Sequence, residues 1–265
     1  MEILQIDIGG KMAHFRKYYG NNTAMSYSIP PRTTIMGMLA AILGRPKESY
    51  YEEFSSKNLR IGIALKSPIK KNFHRLNFIS LKKTKDLSKS FETDFRGMAD
   101  NAIQTPFEVV SGLNLQTDDV IYRIFIACFD TGKTLFEALK NAILNQKHIF
   151  PISLGTANFN ASISNITVFT DDQIKEKNAQ NEWLLFDSAI EVDKISSFDF
   201  DREGSMNFIE EELLPADFKA NFDRELVKMN RLLFSTRNMP IKVCYTGICY
   251  EIKNMVENQI IQFLD

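Results

Sequence analysis

The hydrophobic and polar positions of the first 170 residues alternate in two distinct periods. Runs rich in β-branched and aromatic residues indicate strands, and apolar positions three and four residues apart indicate helices. The predicted strands span residues 3–8, 59–65, 120–129 and 161–169, and the predicted helices span residues 33–43 and about 134–146. Thr33 is the predicted N-cap of the first helix, and Gly44 follows its end. This order predicts an α+β fold of the ferredoxin-like βαββαβ type, which RNA-recognition modules share.

A long insertion separates the second and third predicted strands. Residues 68–118 show no strong secondary-structure period, and loops of this length are typically functional or disordered. Nine lysines and arginines lie between residues 66 and 96 against three acidic residues, with phenylalanines among them. Cations along a backbone and aromatic faces for bases are what single-stranded nucleic acid requires. The alternative is a solvated insertion with a few core aromatics.

The last third of the chain has a different character. Residues 171–265 contain further strand-like segments, including MPIKVCYTGICYEI, and predict a smaller β-rich subdomain that follows a first domain at 1–170. The charge also divides at this boundary. Residues 1–170 carry 21 basic and 14 acidic residues, and residues 171–265 carry 11 and 19. This asymmetry favours a basic face for phosphate contacts, or else two ordinary solvated surfaces.

Composition excludes several classes of function. No apolar run approaches the ~20 residues that span a membrane, and no signal peptide is evident, so we expect a cytoplasmic protein. Three cysteines and three histidines lie far apart without zinc spacing, so we predict neither a metal nor a cofactor. Nucleotide-binding and hydrolase motifs are also missing; Gly132-Lys133-Thr134 lacks the upstream glycine of a P-loop.

Two sites combine groups that bind phosphate. Arg16 follows the first strand, and Arg32 precedes a helix N-terminus where Thr33 and Thr34 add hydroxyls and amides. The second predicted site is the loop around Gly155, where a glycine among Ser, Thr and Asn lets a nucleic-acid backbone approach the chain closely. The alternatives are surface salt bridges for the arginines and a plain turn for Gly155.

An enzymatic alternative rests on His14. Metal-independent RNA cleavage needs a base, an acid and a cation, and Lys11, His14, Arg16 and Tyr27 offer these groups from one loop. A lone histidine beside Phe15 is more often a packing residue, so a non-catalytic protein is the main prediction. A third alternative is a module that binds only proteins.

Several segments of the sequence resemble motifs of a known family and occur in the same order as in that family. These segments are GGKMAHFR (9–16), SYSIPPRTTIMGMLAAILG (26–44), QTPFEVV (104–110), IYRIFIACF (121–129), PISLGTANFNASI (151–163) and, more weakly, LLPADF (213–218). They resemble the fifth family of CRISPR-associated proteins, a branch of the RAMP superfamily, and are most similar to its type I-B form. In type I Cascade complexes this subunit holds the 5′ handle of the crRNA.

The resemblance implies a ferredoxin-like RAMP domain whose insertion, at about 68–118, is a thumb. It implies that the subunit caps the backbone filament, binds crRNA, contacts the backbone RAMP subunit and the large subunit, and meets target DNA indirectly. By position, the RNA-binding residues are Arg16, Tyr27, Arg32, Thr33, Thr34, Gly155 and Thr156, with Lys82, Lys83, Lys85 and Arg96 in the thumb.

Two departures from the family pattern affect these implications. Relatives often carry a basic residue after the Leu-Gly of the glycine loop, where this chain has Thr156. In the type I-C branch the equivalent subunit is the pre-crRNA endoribonuclease, and no Tyr-Lys-His set of that branch is evident here. We therefore predict a non-catalytic crRNA-binding scaffold, with endoribonuclease activity as the alternative.

Overall fold

A computed structural model describes residues 1–20, 23–79, 84–85, 88, 102–199, 208–219, 224–254 and 258–264. Within these residues, two long α-helices are combined with many strands. The first half contains β1 (Ile3–Gly10), β2 (Met12–Ala13), β3 (Phe15–Arg16), β4 (Ser26–Tyr27), α1 (Arg32–Ile42), β5 (Leu59–Leu65), β6 (Ile69–Ile79), β7 (Ala102–Gly112) and β8 (Val120–Cys128). The second half contains α2 (Lys133–Leu144), β9 (Ile152–Ser153), β10 (Asn160–Phe169), β11 (Ile174–Phe186), β12 (Ile190–Glu191), β13 (Ile195–Phe198), β14 (Ile209–Phe218), β15 (Leu226–Ser235), β16 (Ile241–Ile252) and β17 (Gln259–Ile261).

The central sheet has five antiparallel strands in the order β5-β8-β1-β10-β9. Its four long strands and two helices are the six elements predicted from sequence, with bounds that differ by at most two residues. Leu4, Ile6 and Ile8 alternate along β1 and point into one core together with the buried faces of α1 and α2. Burial of this apolar face, at about 25 cal/mol per Å², is the main force that holds the helices on the sheet.

The opposite face of the central sheet is covered by the last third of the chain. Phe125 of β8 and Phe169 of β10 pack in a second cluster with Tyr250, Ile252 and Phe263. The approach is close: a Cβ on Gly62 would lie 3.0 Å from the carbonyl oxygen of Gln262. The part of this face around Phe125 and Phe169 is therefore not open to a ligand.

The strands of the last third of the chain form two further sheets. One contains β11-β16-β13 with β17 beside β16, and the other contains β12-β15-β14. Leu214, Leu232 and Phe234 from the second sheet enter the same core as the helices. Residues on both sides of position 170 thus share one hydrophobic core, and the division into 1–170 and 171–265 stays a prediction.

The described ends of the insertion at 68–118 form a hairpin, which the sequence pattern did not indicate. β6 and β7 pair over eleven positions, from Ile69 opposite Gly112 to Ile79 opposite Ala102. Their distal halves are exposed at residues 72–77 and at 103–104. A two-stranded ribbon with solvent on both faces needs no hydrophobic alternation, which explains why the pattern was missed. We call this hairpin the arm.

Candidate nucleic-acid interface

A cleft of about 270 Å³ lies between the N-terminal half of α1 and the glycine loop before β10. It brings together Thr33, Thr34 and Gly155, which lie far apart in the sequence. The other lining residues are Gly37, Met38, Ala41, Tyr50, Tyr51, Pro151, Ile152, Ser153, Phe218 and Arg224. The cleft therefore combines hydroxyls, aromatic rings, a helix N-terminus and one arginine.

The N-terminus of α1 has no side-chain cap. α1 begins at Arg32 and its N-cap is Pro31, not the predicted Thr33, because Pro31 occupies the extended conformation before the first turn. No side chain caps this end and no acidic residue lies in the first turn. Thr33 and Thr34 lie in the first turn of α1, where the helix dipole places a partial positive charge.

The second wall is the turn that contains Gly155. Its φ of +93° is a conformation that favours glycine, and a Cβ there would lie 1.8 Å from the carbonyl oxygen of His14. The amide of His14 also donates to the carbonyl of Leu154 at 3.0 Å. Thr156 is half-buried, and its carbonyl accepts from Phe159 to close the turn. Only glycine permits this contact between the turn and the segment that precedes β3.

Tyr50 and Arg224 form the third side. Tyr50 lies against α1 where Gly37 leaves room, since a Cβ on Gly37 would be 3.0 Å from the Tyr50 hydroxyl. Burial raises the pKa of this hydroxyl, which therefore stays protonated. Arg224 is half-exposed and pairs with Glu48 at 3.0 Å. Sequence analysis identified neither Tyr50 nor Arg224, because only the fold brings them beside α1.

His14 lies behind the glycine turn with its ring buried. The ring stacks on Phe107 with 4.0 Å between centroids, and Nδ1–H donates to the carbonyl oxygen of Glu108 at 2.7 Å. Burial lowers its pKa against the opposing effect of that hydrogen bond, so the ring is neutral near pH 7. This placement joins β7 of the arm to the glycine turn.

The buried His14 predicts a loss of stability in mild acid. An unfolded chain protonates histidine near its ordinary pKa of about 6.5, whereas the folded protein resists protonation, so stability is present above about pH 6.5 and lost as the pH falls. Thermal unfolding followed from about pH 7.5 to 5.5 should show the loss, and His14→Phe, which keeps the stack, should reduce it. His148 is exposed, so His148→Gln is the matched control. An identical pH profile for His14→Phe and the unsubstituted protein would contradict this.

Arg32 is a structural residue, and its placement corrects the prediction of a phosphate ligand. Its side chain is 1% exposed and pairs with Asp217 of β14 at 2.7 Å. The guanidinium also donates to the carbonyls of Phe54 and Leu59, at 3.2 and 2.8 Å. A fully buried, paired arginine cannot present its donors to an RNA backbone, so we exclude Arg32 from the candidate interface.

Arg16 and Tyr27 face opposite directions on the small β3–β4 sheet. Tyr27 is 1% exposed and accepts a hydrogen bond from the amide of Tyr18 at 3.4 Å. Arg16 is exposed and donates to the carbonyl of Gly20 at 3.2 Å. Arg16 is therefore accessible to a ligand, whereas Tyr27 supports the loop from inside.

The basic and acidic parts of the chain meet in the folded protein. Glu212 of β14 pairs with Lys17 at 3.0 Å and with Lys71 at 3.4 Å, and its carboxylate accepts the amide of Ser28 at 2.9 Å. Two cations of the predicted basic face are thus held within the fold. Arg75 on the arm is exposed.

The predicted thumb cations can be placed only in part. Lys85 is exposed, and Lys82, Lys83 and Arg96 lie outside the described residues. Exposed aromatic and aliphatic side chains accompany the cations on the arm, including Phe73 at 56% and Ile103 at 50%. Within the described ranges, no group of three or more His, Cys, Asp or Glu residues is arranged to hold a metal ion, and no helix has the length and apolarity to cross a membrane.

The fold is that of a CRISPR protein. The crystal structure of a CRISPR protein from Archaeoglobus fulgidus is similar with a TM-score of 0.58 at 16% identity, covering 99% of this chain and 100% of that one. A chain described as a CRISPR RNA-guided surveillance complex has a TM-score of 0.49 at 12% identity, over 91% and 90% of the two chains. No curated protein matches the sequence.

The family follows from the sequence itself. The family described as CRISPR-associated protein (Cas_Cas5) matches residues 3–184, which include α1, the arm and the glycine turn. The chain belongs to this family. The predicted resemblance is confirmed at this level, and the type I-B subtype stays a prediction.

Proposed function

We propose that the protein is a non-catalytic crRNA-binding subunit of a type I, I-B-like CRISPR Cascade complex, and that it holds the 5′ handle of the crRNA. Family membership supports a role in CRISPR defence. The observation that carries the RNA-binding role is the cleft, where the uncapped N-terminus of α1, the Gly155 turn and Arg224 meet. All three are elements that bind phosphate without any metal.

The dimensions of the cleft favour a short, extruded part of an RNA strand. Its volume of about 270 Å³ is near the lower end for small-ligand pockets, so a duplex is too large to enter. A phosphate at the α1 end would meet the hydroxyl of Thr34 and the guanidinium of Arg224, and the ring of Tyr50 offers an apolar wall to a sugar or base. Proteins recognise RNA sequence mostly in such unpaired segments.

The architecture supports the remaining parts of the proposal. The sequential order strand, helix, strand, strand, helix, strand and the antiparallel sheet order support a ferredoxin-like RAMP domain. The exposed hairpin arm corresponds to the thumb, which we propose contacts the backbone RAMP subunit, while the subunit caps the filament and touches the large subunit and, indirectly, target DNA.

The placement of His14 supports a scaffold over a nuclease. A general base must reach the proton that it removes, and the His14 ring is buried with Nδ1–H engaged by the Glu108 carbonyl. The alternative, pre-crRNA cleavage as in the type I-C branch, predicts turnover in EDTA that is lost in His14→Ala.

Binding and cleavage of a repeat-derived RNA in EDTA test the proposal together. We expect binding without cleavage, weakened about fivefold to tenfold by Arg224→Ala because one phosphate contact is lost. The slope of log affinity against log salt should become shallower by about 0.7. Fluorescence anisotropy at several salt concentrations measures both quantities.

Arg231→Ala is a matched control. Arg231 is also a half-exposed arginine paired with a glutamate, Glu211, but it lies on β15 outside the cleft lining. Equal effects of the two substitutions would contradict the cleft as the RNA site. Absence of any RNA binding by the unsubstituted protein would overturn the proposed function, and cleavage at one position would establish the nuclease alternative.

A further inference from the structure

Two adjacent tyrosines project from the loop between β3 and β4. Tyr18 is 54% exposed and Tyr19 is 59% exposed, unusual values for large aromatic side chains next to the core. They lie within the longest acid-free part of the chain, since residues 8–47 contain neither aspartate nor glutamate. The sequence analysis did not single out either residue.

The backbone below these rings is held in place. Lys17 donates its amide to the carbonyl of Met25 at 2.8 Å, and Gly20 donates to the carbonyl of Lys17 at 3.1 Å. The hydroxyl of the buried Tyr27 accepts a hydrogen bond from the backbone amide of Tyr18. The exposed rings therefore stand on a fixed turn, which lowers the entropic cost of using them to bind a ligand.

Two cations belong to the same loop as the aromatic pair. The ammonium of Lys17 lies 6.0 Å from the centre of the Tyr19 ring and 5.5 Å from that of Tyr27, and its salt bridge with Glu212 fixes it there. The exposed guanidinium of Arg16 is held across the turn by the carbonyl of Gly20. Aromatic faces beside oriented cations suit a strand that alternates flat bases with phosphates.

The loop is also connected to the cleft. Phe15 directly precedes Arg16, and its ring lies 3.2 Å from the position that a Cβ on Gly155 would occupy. The wall of the cleft and the turn that carries the tyrosines are thus parts of one packed unit.

We propose that Tyr18 and Tyr19 form a stacking platform for unpaired RNA bases and that Arg16 holds an adjacent phosphate. This inference rests on the proposed RNA-binding function and extends it to a second, sequence-tolerant contact outside the cleft. Tyrosine and arginine are also common at protein interfaces. Glu212 neutralises Lys17, so the exposed Arg16 carries the positive charge of this surface, and it favours a polyanion over a protein partner.

The test uses the full chain and a single-stranded RNA of about 12 nucleotides that contains a fluorescent adenine analogue, whose emission falls on stacking. The double variant Tyr18→Ala/Tyr19→Ala should bind at least tenfold more weakly and lose the quenching, with little change in salt dependence. Tyr18→Phe/Tyr19→Phe keeps both rings and should bind within about twofold of the unsubstituted protein. Arg16→Ala should instead flatten the salt dependence by about 0.7.

The outcomes separate this proposal from the one before it. RNA binding that is reduced by Arg224→Ala but unaffected by the double alanine variant would overturn the platform and leave the cleft in place. Equal losses in the alanine and phenylalanine variants would show a role of the hydroxyls and overturn stacking. Unchanged RNA affinity with reduced recovery of other complex subunits would identify a protein contact instead. Both tyrosines are exposed, so unaltered thermal unfolding of the variants is expected and confirms that they fold.

Discussion

Arg32→Ala is expected to destabilise the protein by about 3–5 kcal/mol, because it leaves a largely buried carboxylate without its partner. Asp217 would keep only its hydrogen bonds from Ser56, and the carbonyls of Phe54 and Leu59 would lose their donor. The effect reaches beyond α1, since the ion pair joins the first helix to β14. Urea unfolding, followed by circular dichroism, measures the change.

Arg45→Ala is the matched control for Arg32→Ala. Arg45 donates two hydrogen bonds to Glu53, at 2.9 and 2.7 Å, but its side chain is 41% exposed. An exposed ion pair between arginine and a carboxylate is worth at most about 1 kcal/mol. If Arg32→Ala instead left stability unchanged and weakened RNA binding, the structural role of the Arg32–Asp217 ion pair would be contradicted. The prediction that Arg32 binds phosphate would then stand.

Gly155→Ala is expected to displace the glycine turn and to weaken RNA binding with it. The new Cβ would lie 1.8 Å from the carbonyl oxygen of His14, and the φ of +93° is unfavourable for alanine. Backbone strain of this kind costs about 1–3 kcal/mol, to which the steric overlap adds. Because the turn is one wall of the cleft, movement that relieves the overlap changes the cleft as well. Anisotropy with the repeat RNA and thermal unfolding measure the two effects.

Gly9→Ala shows whether these effects are specific. A Cβ on Gly9 would meet its neighbours at ordinary distances of 3.4 and 3.5 Å, and its φ is not in the left-handed region. We expect Gly9→Ala to change stability by less than about 1 kcal/mol and to leave RNA binding unchanged. Full RNA affinity in Gly155→Ala would show that the turn is not part of the binding site.

The central sheet and its helices were predictable because their residues follow local rules. Alternation on β1 and β5, and apolar residues three and four apart on α2, reflect burial of one face against a common core. The arm lacked such a signal. Its strands are held by backbone hydrogen bonds while Phe73, His74 and Arg75 all face solvent, so no periodicity separates inside from outside.

Thr33, Thr34 and Gly155 were predicted from sequence and line one cleft, while their role in RNA binding stays a prediction. Gly155 and the N-terminus of α1 belong to the cleft because a glycine turn and a helix end keep their properties in any fold. Arg32 was predicted to bind phosphate because its partner, Asp217, lies 185 residues away in the sequence and no local pattern indicates a buried ion pair. Arg224 and Tyr50 were missed for the same reason: their proximity to α1 is a tertiary property.

The covered face of the central sheet constrains the order of events during synthesis. Phe125 and Phe169 become enclosed only when residues 250–263 have left the ribosome, and Leu264 donates its amide to the carbonyl of Ile61. Until then a nascent chain carries an exposed apolar sheet, a state that is prone to aggregate. The N-terminal half therefore cannot complete its packing alone, and under the proposed function we expect RNA to be loaded only after strands β16 and β17 are in place.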